Sequence, residues 1–313
     1  MADSREFQET LAMVETGLPH ISQPTLSELL PQPGCDSRSI HFPPGVHFSQ
    51  RNTPALFGVK LIDEIPDRAI IANERRQRLK WGLAGSDTED LPVGRALRLS
   101  DGRVGKFGWK AQTATLGEFV RAACANELGL GNPGQSQPAP LARPGYQPAG
   151  LDLTDEQCRQ LTDFVASLSQ PIEQVPENPI QREAVQQGRQ LFESIGCSDC
   201  HTPNLGNVQG LYSDLLLHRM GRDLEGGGSY NDHPLEAPEF VSGEGPQPGE
   251  WRTPPLWGLA SSAPYMHDGR AATLQEAIEL HAAQGARSAQ RFGKLNSPQR
   301  TQLLEFLNTL QAP

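Results

Sequence analysis

The spacing of apolar side chains predicts a chain built mainly from α-helices. In Ser4–Glu15, apolar residues recur at intervals of three and four and so fall on one helix face. Pro66 followed by Asp67 is typical of a helix start, and a helical pattern continues from there to Leu79. The fold class expected from these runs is mainly α.

Capping sequences locate further helices. A Ser/Thr followed three residues later by Glu/Gln forms a capping box, which satisfies backbone donors that the first helical turn leaves free. The sequence contains three such boxes, Thr115-x-x-Glu118, Thr154-x-x-Gln157 and Thr273-x-x-Glu276. Another helix is predicted to start at Asn178-Pro179 and to stop at Gly196, and the last one starts at Ser297-Pro298.

Loops rich in Gly and Pro separate these helices. Of the 313 residues, 31 are Gly and 27 are Pro, together roughly 19% against ~12% in an average chain. This composition predicts long irregular connections and few strands. The richest stretches are Asn132–Pro148, Pro171–Pro179 and Gly226–Pro248. The second of these divides the chain near residue 175, so the domains expected are 1–175 and 176–313.

The two halves share short sequences in the same order, which indicates an internal repeat. Thr53–Gly58 (TPALFG) resembles Thr253–Gly258 (TPPLWG). Trp109 precedes a TLGEFV segment by six positions, and His267 precedes a TLQEAI segment by the same interval. We interpret the chain as a duplicated domain with an insertion in the first copy.

Charge and hydropathy exclude several classes of protein. There are 27 Lys and Arg against 37 Asp and Glu, a net charge of −10, and no basic run, which disfavours nucleic-acid binding. No apolar stretch approaches the ~18 residues that cross a bilayer. Met1–Leu18 is charged throughout and lacks the apolar core of an export signal.

The sequence Cys197-Ser198-Asp199-Cys200-His201 carries the most specific chemistry. Two thiols three positions apart can reach the two vinyl groups on one edge of a haem, and the next residue can place its imidazole under the iron. This pattern is the one for covalent c-type haem attachment. We therefore predict one haem c, bound by Cys197 and Cys200 with His201 as a ligand of the iron.

Two other interpretations of the cysteine pair are weaker. A structural zinc site needs four ligands, usually from a second pair, whereas Cys35, Cys124 and Cys158 stand alone. A thioredoxin-type redox pair normally follows a strand, whereas this pair follows a predicted helix. With haem attached, residues 176–313 are predicted to form a cytochrome c domain. Gly188 would allow two of its helices to approach closely.

Five downstream residues could bind the iron from the other side. A single His or Met is more often a packing residue than a ligand, so the residues alone do not choose among them. The candidates are His218, Met220, Met266, His267 and His281.

The sequence resembles a known family, most densely in its second half. Trp251–Gly258 (WRTPPLWG), then Ala263–Arg270 (APYMHDGR), then the segment that begins at Thr273 are similar to the bacterial di-haem cytochrome c peroxidases and MauG-like enzymes. The similarity is greatest to their di-haem oxidoreductase branch, whose members are described as thiol oxidoreductases or peroxidases. It runs from about Asn52 to Leu310, and Tyr212–His218 also matches that branch. Tandem cytochrome c-like domains are the fold that this resemblance implies.

The resemblance also assigns roles around the iron. It implies His281 as the second axial ligand opposite His201, with Met266 as the alternative. It places His267 near the haem edge. Arg252 is expected to bind a haem propionate. The simpler interpretation of both His267 and Arg252 is that each stabilises a loop.

The first half departs from the family pattern. Trp109 corresponds to an aromatic residue between the family's two haems, and Glu127 to an acid near the peroxide-binding haem, so these are the candidate catalytic residues. A core Trp and a helix-ending Glu are the simpler interpretations. No second C-x-x-C-H precedes Asn52, and Cys35 lacks a partner. Residues 1–175 are therefore expected to be a degenerate cytochrome c-like domain without haem attachment.

Electron transfer is the function that these features favour. An iron held by two histidines has no open position for peroxide, so this haem is expected to pass electrons to or from a redox partner protein. One alternative is an active di-haem peroxidase or substrate oxidase. Its catalytic haem would lie in a missing N-terminal segment or bind the first domain without covalent attachment. A second alternative is a non-catalytic relic that docks a partner.

Location follows from the chemistry of attachment. Haem c is attached outside the cytoplasmic membrane, so we expect a periplasmic protein although the chain begins without an export signal. There, Cys124 and Cys158 could pair as a disulfide. Calcium is implied by the wider family alone, since no Asp-rich loop predicts it.

Overall fold

The computed structural model describes residues 51–82, 90–137, 145–226 and 245–313. Two compact units divide the chain. One comprises Met1–Gln50 with Ala139–Gln147, most of which lies outside the described residues, as does the predicted helix Ser4–Glu15. The other comprises Arg51–Pro138 with Pro148–Pro313 and is described here. The predicted division at residue 175 stays a prediction. Buried apolar residues from both sides of this position pack in one core.

The described part is mainly helical, as predicted. Its α-helices are α1 Val59–Asp63, α2 Asp67–Trp81, α3 Leu116–Asn126, α4 Asp155–Ala166, α5 Pro179–Ser194, α6 Leu274–Glu279, α7 Ala286–Gly293 and α8 Ser297–Asn308. Short 3₁₀ turns lie at Cys197–Asp199, Arg222–Leu224, Leu259–Ser261 and Ala283–Gly285. None of the helices in the described ranges is long and apolar enough to cross a membrane.

Local capping explains where the helices begin. All three predicted capping boxes form, at Thr115, Thr154 and Thr273, with the side chain and backbone bonds of each box present. Asn296 adds a fourth box at the start of α8. Helix α7 was not predicted, because its eight residues carry neither a side-chain cap nor a long apolar stripe.

Helices α5 and α8 cross at Gly188 and form the frame of the C-terminal part. A Cβ on Gly188 would lie 2.0 Å from the Gln302 carbonyl oxygen, so only glycine permits this backbone approach. The crossing buries Phe192 of α5 against Phe306 of α8, with ring centroids 5.5 Å apart. The predicted role of Gly188 is confirmed.

A short antiparallel ladder braces the middle of the described unit. Strand β1, Leu217–Arg219, pairs with β2, Glu250–Arg252, so that His218 lies opposite Trp251. Arg95 extends the ladder through an isolated bridge to Leu217. The ladder places residues from widely separated parts of the chain side by side.

The repeated sequences adopt the same turn. Phe107 bridges Thr113, and Tyr265 bridges Ala271, so each turn closes over six positions. Trp109 and His267 each stand two residues after the first bridge residue. The helix that follows is capped in both copies by the Thr of a capping box. The likeness between the halves thus extends from sequence to local backbone.

Cys124 and Cys158 lie on neighbouring helices α3 and α4 and are both buried as free thiols. Burial raises the pKa of the Cys124 thiol, and Cys158 nearby raises it further. Whether they pair outside the cell stays a prediction.

Candidate haem site

A large, mostly apolar cavity lies beside the cysteine pair. The empty space in it, counted together with its open mouth, is about 1320 Å³. Helices α5, α6, α7 and α8 supply apolar walls, and β2 with the turn after Tyr265 closes the remaining side. The predicted site residues on its wall are Trp109, Cys197, Cys200, His201, Arg252, Met266, His267 and His281.

The cysteine pair enters the cavity on a tight turn. Gly196 ends α5 with φ +98°, a left-handed conformation that L side chains rarely adopt, and the 3₁₀ turn Cys197–Asp199 follows at once. Asp199 anchors the turn to α2, since Lys80 Nζ lies 2.5 Å from its carboxylate and Gln77 donates to its carbonyl at 2.8 Å. Both sulfurs are thereby presented to one side of the cavity.

His201 is oriented for metal binding. Its Nδ1 lies 3.0 Å from the Tyr212 carbonyl oxygen, so Nδ1 carries the proton and Nε2 keeps its lone pair. Burial, with His281 as the next contribution, lowers the pKa of His201 to about 4. The imidazole is therefore neutral at physiological pH, which is the form that binds iron.

His281 has the same orientation on the other side. Its Nδ1 lies 2.7 Å from the Ala277 carbonyl oxygen, which again leaves Nε2 available, and burial lowers its pKa. The two imidazole centroids are 6.4 Å apart. Two histidines bound to one metal would have centroids about 6 Å apart, because each nitrogen lies ~2 Å from the metal and ~1 Å from its ring centre. The pair therefore fits a single iron between the rings.

Both thiols of the pair line the apolar cavity. Burial raises the pKa of Cys197 to about 12 and also raises that of Cys200, so both are neutral thiols in this structure.

Arg252 offers a buried cation to the same cavity. It is 5% exposed, its Nε donates to the Gly108 carbonyl at 2.8 Å, and its Nη1 has no hydrogen-bond partner among the described residues. Burial lowers its pKa to about 10, so the guanidinium remains charged at neutral pH. A buried, unpaired donor of this kind needs an anion, and a haem carboxylate satisfies that requirement.

An aromatic cluster covers one side of the cavity. Trp251 and His267 stack with centroids 3.7 Å apart and 18° between planes. Trp109 meets both rings edge-on at 6.5 and 6.4 Å. Lys110 Nζ lies 3.9 Å above Trp251. The predicted residues Trp109 and His267 thus contact one another directly. Both also contact Trp251, which was not among the predicted site residues.

The other ligand candidates, His218, Met220, Met266 and His267, also line the cavity. His218 lines the cavity, but both of its ring nitrogens face side-chain oxygens within 3.1 Å. Met266 lies on the wall with φ +75°, one residue before His267. Among the candidate histidines in the described ranges, His281 makes a ring contact with His201.

A second cavity of about 880 Å³ adjoins the first. Thr53–Leu56 from the first copy and Pro254–Trp257 from the second line its walls. Trp109, Arg252 and Met266 line both cavities. Glu127 lines neither of them: it is exposed at the C-terminal cap of α3, although partial burial raises its pKa. Its catalytic role stays a prediction.

Sequence reasoning missed residues that act through distant contacts. The Tyr212 carbonyl orients His201, and Gln284 contacts His218, yet neither follows from a local motif. The match of Tyr212–His218 to the family was one available signal, and it carried no indication of which atoms meet. Gln284 stands three positions after His281, which was the second signal.

The buried His267 predicts how stability depends on pH. Burial lowers its pKa to about 4, whereas an unfolded histidine titrates near ~6.5. Unfolding therefore takes up a proton between these values, and the free energy of unfolding falls as the pH decreases from about 6.5 to about 4. The His267 contribution is expected to reach about 2–3 kcal/mol across this window.

Denaturant unfolding at several pH values checks this expectation. The variant His267→Gln cannot take up the proton, so its free energy of unfolding should fall less than that of the original chain between about pH 7 and pH 4.5. The other histidines are common to both proteins and cancel in the comparison. Parallel pH profiles would contradict a neutral, buried His267.

Comparison with known proteins gives a family match. A family model described as "Di-haem oxidoreductase, putative peroxidase" matches residues 34–310. Hydrazine synthase subunit gamma of Kuenenia stuttgartiensis is 32% identical over 114 residues, covering 31% of this chain and 32% of that subunit. The match therefore spans about a third of that relative's length.

Two solved structures also resemble the chain. One is hydrazine synthase of Kuenenia stuttgartiensis pressurized with 20 bar xenon, 17% identical, with a TM-score of 0.35 over 87% of this chain and 98% of that one. The other is a MauG-like protein associated with microbial copper homeostasis, 17% identical, with a TM-score of 0.36 over 88% and 96%. The family match covers most of the sequence and confirms the resemblance found in its motifs. The chain therefore belongs to the di-haem oxidoreductase family.

Proposed function

We propose that this chain binds one covalent haem c and transfers electrons within an oxidoreductase of this family. Cys197 and Cys200 would form the thioether bonds, and His201 and His281 would hold the iron from opposite sides. The observation that carries this proposal is the pair of neutral imidazoles, 6.4 Å apart, whose Nε2 atoms both remain available beside the cysteine turn. Haem bound in this way supplies one-electron redox chemistry.

The residues around the site support electron transfer rather than the binding of an oxidant. Two carbonyl oxygens, of Tyr212 and Ala277, hold both imidazoles in the tautomer that leaves Nε2 free. The apolar walls from α5, α6 and α8 exclude water. Arg252 would compensate the charge of a carboxylate in that dry environment.

We propose an extracytoplasmic location and a protein partner. Covalent attachment of haem c occurs outside the cytoplasmic membrane, which in a bacterium is the periplasm. An electron carrier needs a donor and an acceptor, and a relative, hydrazine synthase subunit gamma, is by its name one subunit of a larger assembly. The partner of this chain is proposed to be a redox protein.

The second cavity favours one alternative function. Both copies of the repeat line it, and it shares Trp109 and Arg252 with the haem cavity. A second haem or a substrate in that position would lie one tryptophan away from the first site. In that case the chain would be part of an oxidising enzyme of the peroxidase type.

Haem stoichiometry separates the two functions. The full chain would be produced with c-type haem maturation proteins, its haem counted as the pyridine haemochrome, and its optical spectrum recorded with and without peroxide. One covalent haem with a low-spin spectrum that peroxide leaves unchanged is the expected result. Two haems, or a high-spin iron that responds to peroxide, would favour the enzyme. A chain that takes up no haem would overturn both proposals and favour the non-catalytic relic.

A further inference from the structure

A buried polar network next to the cysteine turn has no role in the function described so far. Its members are Asp214, His218, Gln284 and Gln77, which are 0%, 3%, 6% and 4% exposed. Buried polar side chains on the wall of an apolar cavity are costly unless they are fully hydrogen-bonded, so their arrangement calls for a physical reason. The hydrogen bonds of His218 and Asp214 supply that reason.

Both ring nitrogens of His218 face oxygen atoms. Nε2 lies 2.8 Å from Asp214 Oδ2, and Nδ1 lies 3.1 Å from Gln284 Oε1. The Gln284 amide cannot be reversed, because its Oε1 accepts from the Arg219 backbone N–H and its Nε2 donates to the Val93 carbonyl, each at 3.1 Å. Each nitrogen of His218 therefore carries a hydrogen, and the ring is an imidazolium.

Asp214 is the matching anion. Its Oδ1 accepts from the Leu216 backbone N–H at 2.9 Å, and its Oδ2 accepts from Gln77 at 2.7 Å as well as from His218. Three donors converge on one carboxylate, so its oxygens are hydrogen-bonded although the side chain is fully buried. Burial alone would lower the pKa of His218, but the polar groups packed against it, among them Asp214, raise that pKa well above its ordinary value.

His218 also connects the two segments that carry the proposed iron ligands. On one side its Nδ1 lies 3.6 Å from Cys200 Sγ, and Cys200 immediately precedes His201. On the other side the same nitrogen bonds to Gln284. Gln284 and His281 share a compact turn, in which a Cβ on Gly285 would lie 2.9 Å from the His281 Cβ.

The network is rigidly supported. His218 lies in β1, paired with Trp251 of β2. Gly94 closes the other side, where a Cβ would lie 2.6 Å from His218 Nε2, and its backbone N–H donates to Gln77 at 2.8 Å. The imidazolium is therefore held in place by the ladder on one side and by the first half of the chain on the other.

We propose that Asp214, His218 and Gln284 form a clamp that sets the separation and orientation of His201 and His281, and so keeps both bound to the iron. The clamp rests on the proposed haem ligation. Its members are positioning residues, since both ring nitrogens of His218 are hydrogen-bonded and neither Asp214 nor Gln284 is a proposed iron ligand. The His218 ring ties the Cys200 turn to the His281 turn, and Asp214 supplies the negative charge that lets a cation remain in an apolar wall.

Carbon monoxide binding to the ferrous protein tests the clamp, because it requires an open position on the iron. In the haem-loaded full chain we expect almost no binding. In Gln284→Met, which keeps the side-chain volume but loses the bond to His218, the fraction of haem that binds should rise about tenfold or more, as expected for loss of one hydrogen bond to a charged group. His218→Gln should behave likewise.

Two further variants provide controls. Gln284→Glu keeps an acceptor oxygen opposite His218 Nδ1 and is expected to retain the closed, low-spin iron. Gln302→Leu removes a different glutamine contact, the bond to Gln187 between α5 and α8, and should not open the iron. Low-spin electron paramagnetic resonance of the ferric protein gives a second measurement, since its g-values depend on the angle between the imidazole planes, which is 58° here. Gln284→Met should shift those g-values.

The outcomes separate the clamp from the function on which it rests. If Gln284→Met and His218→Gln keep covalent haem, bind no more carbon monoxide than the original chain and retain its g-values, the clamp is wrong and the haem proposal stands. If the original chain itself binds carbon monoxide readily, the ligation by two histidines is wrong and the clamp fails with it. Opening in Gln284→Met with closure retained in Gln284→Glu supports both.

Discussion

Replacing His281 with alanine is expected to convert a low-spin, six-coordinate haem iron into a high-spin, five-coordinate one. The reason is the geometry of the cavity, in which His281 faces His201 at 6.4 Å with its Nε2 free. The change should be nearly complete rather than partial, because the remaining wall from α6 is apolar. Optical spectra of the oxidised and reduced protein, together with carbon monoxide binding, measure it directly.

A matched variant tests the alternative ligand. Met266 lies on the same cavity wall, so Met266→Leu removes the sulfur while it keeps a side chain of similar size. Its spectrum should remain low-spin. A low-spin His281→Ala together with a high-spin Met266→Leu would show that the iron is held by His201 and Met266 instead. Covalent haem is expected in both variants, since neither touches the cysteines.

The substitution Gly188→Ala is expected to destabilise the chain by about 3 kcal/mol or more, the range of a severe packing clash. A Cβ at this position would lie 2.0 Å from the Gln302 carbonyl oxygen and 2.9 Å from the Phe306 Cβ. Backbone atoms cannot move aside as a flexible side chain can, so α5 and α8 must separate. Because α5 leads directly into the cysteine turn, haem retention should fall as well. Denaturant unfolding of the haem-loaded protein measures the loss of stability.

Gly293 supplies the control for this prediction. It is also helical, at the end of α7, but none of the described atoms lies within 4 Å of the position of its Cβ. Alanine has the higher helix propensity, so Gly293→Ala should leave stability unchanged or raise it by about 0.5 kcal/mol. Equal effects of the two substitutions would mean that the close approach of α5 and α8 is not what requires glycine at position 188.

The local features of this protein could be derived from sequence because they depend on residues a few positions apart. A capping box needs a Thr and a Glu or Gln three residues away, and the three predicted boxes are present. The spacing of Cys197, Cys200 and His201 depends on one turn of backbone, so the motif identified the candidate haem site without a structure. Gly188 was identified for a similar reason, since a glycine in an amphipathic helix next to a crossing has few other roles.

The choice of second ligand depended on long-range packing. Five His and Met residues stood downstream, and sequence alone could not state which of them faces His201. In the structure, the separation of the imidazole rings and the hydrogen bonds that occupy His218 favour His281 over His218. The contacts of His201 with His281 and of His218 with Gln284 span 80 and 66 positions, and spacing along a chain carries no information about them.

The environment of the site was decided in the same way. Arg252 has an unpaired buried nitrogen because of how β2 packs against the turn at Gly108, and the clamp exists because Gln77, His218 and Gln284 meet behind the cysteine turn. Burial and hydrogen bonding set the charge of each group, since desolvation keeps His201 neutral while Asp214 keeps His218 charged. Composition and motif can therefore name the chemistry of this chain, but only the assembled tertiary structure determines which side chains are desolvated, which are paired, and hence which can hold an iron.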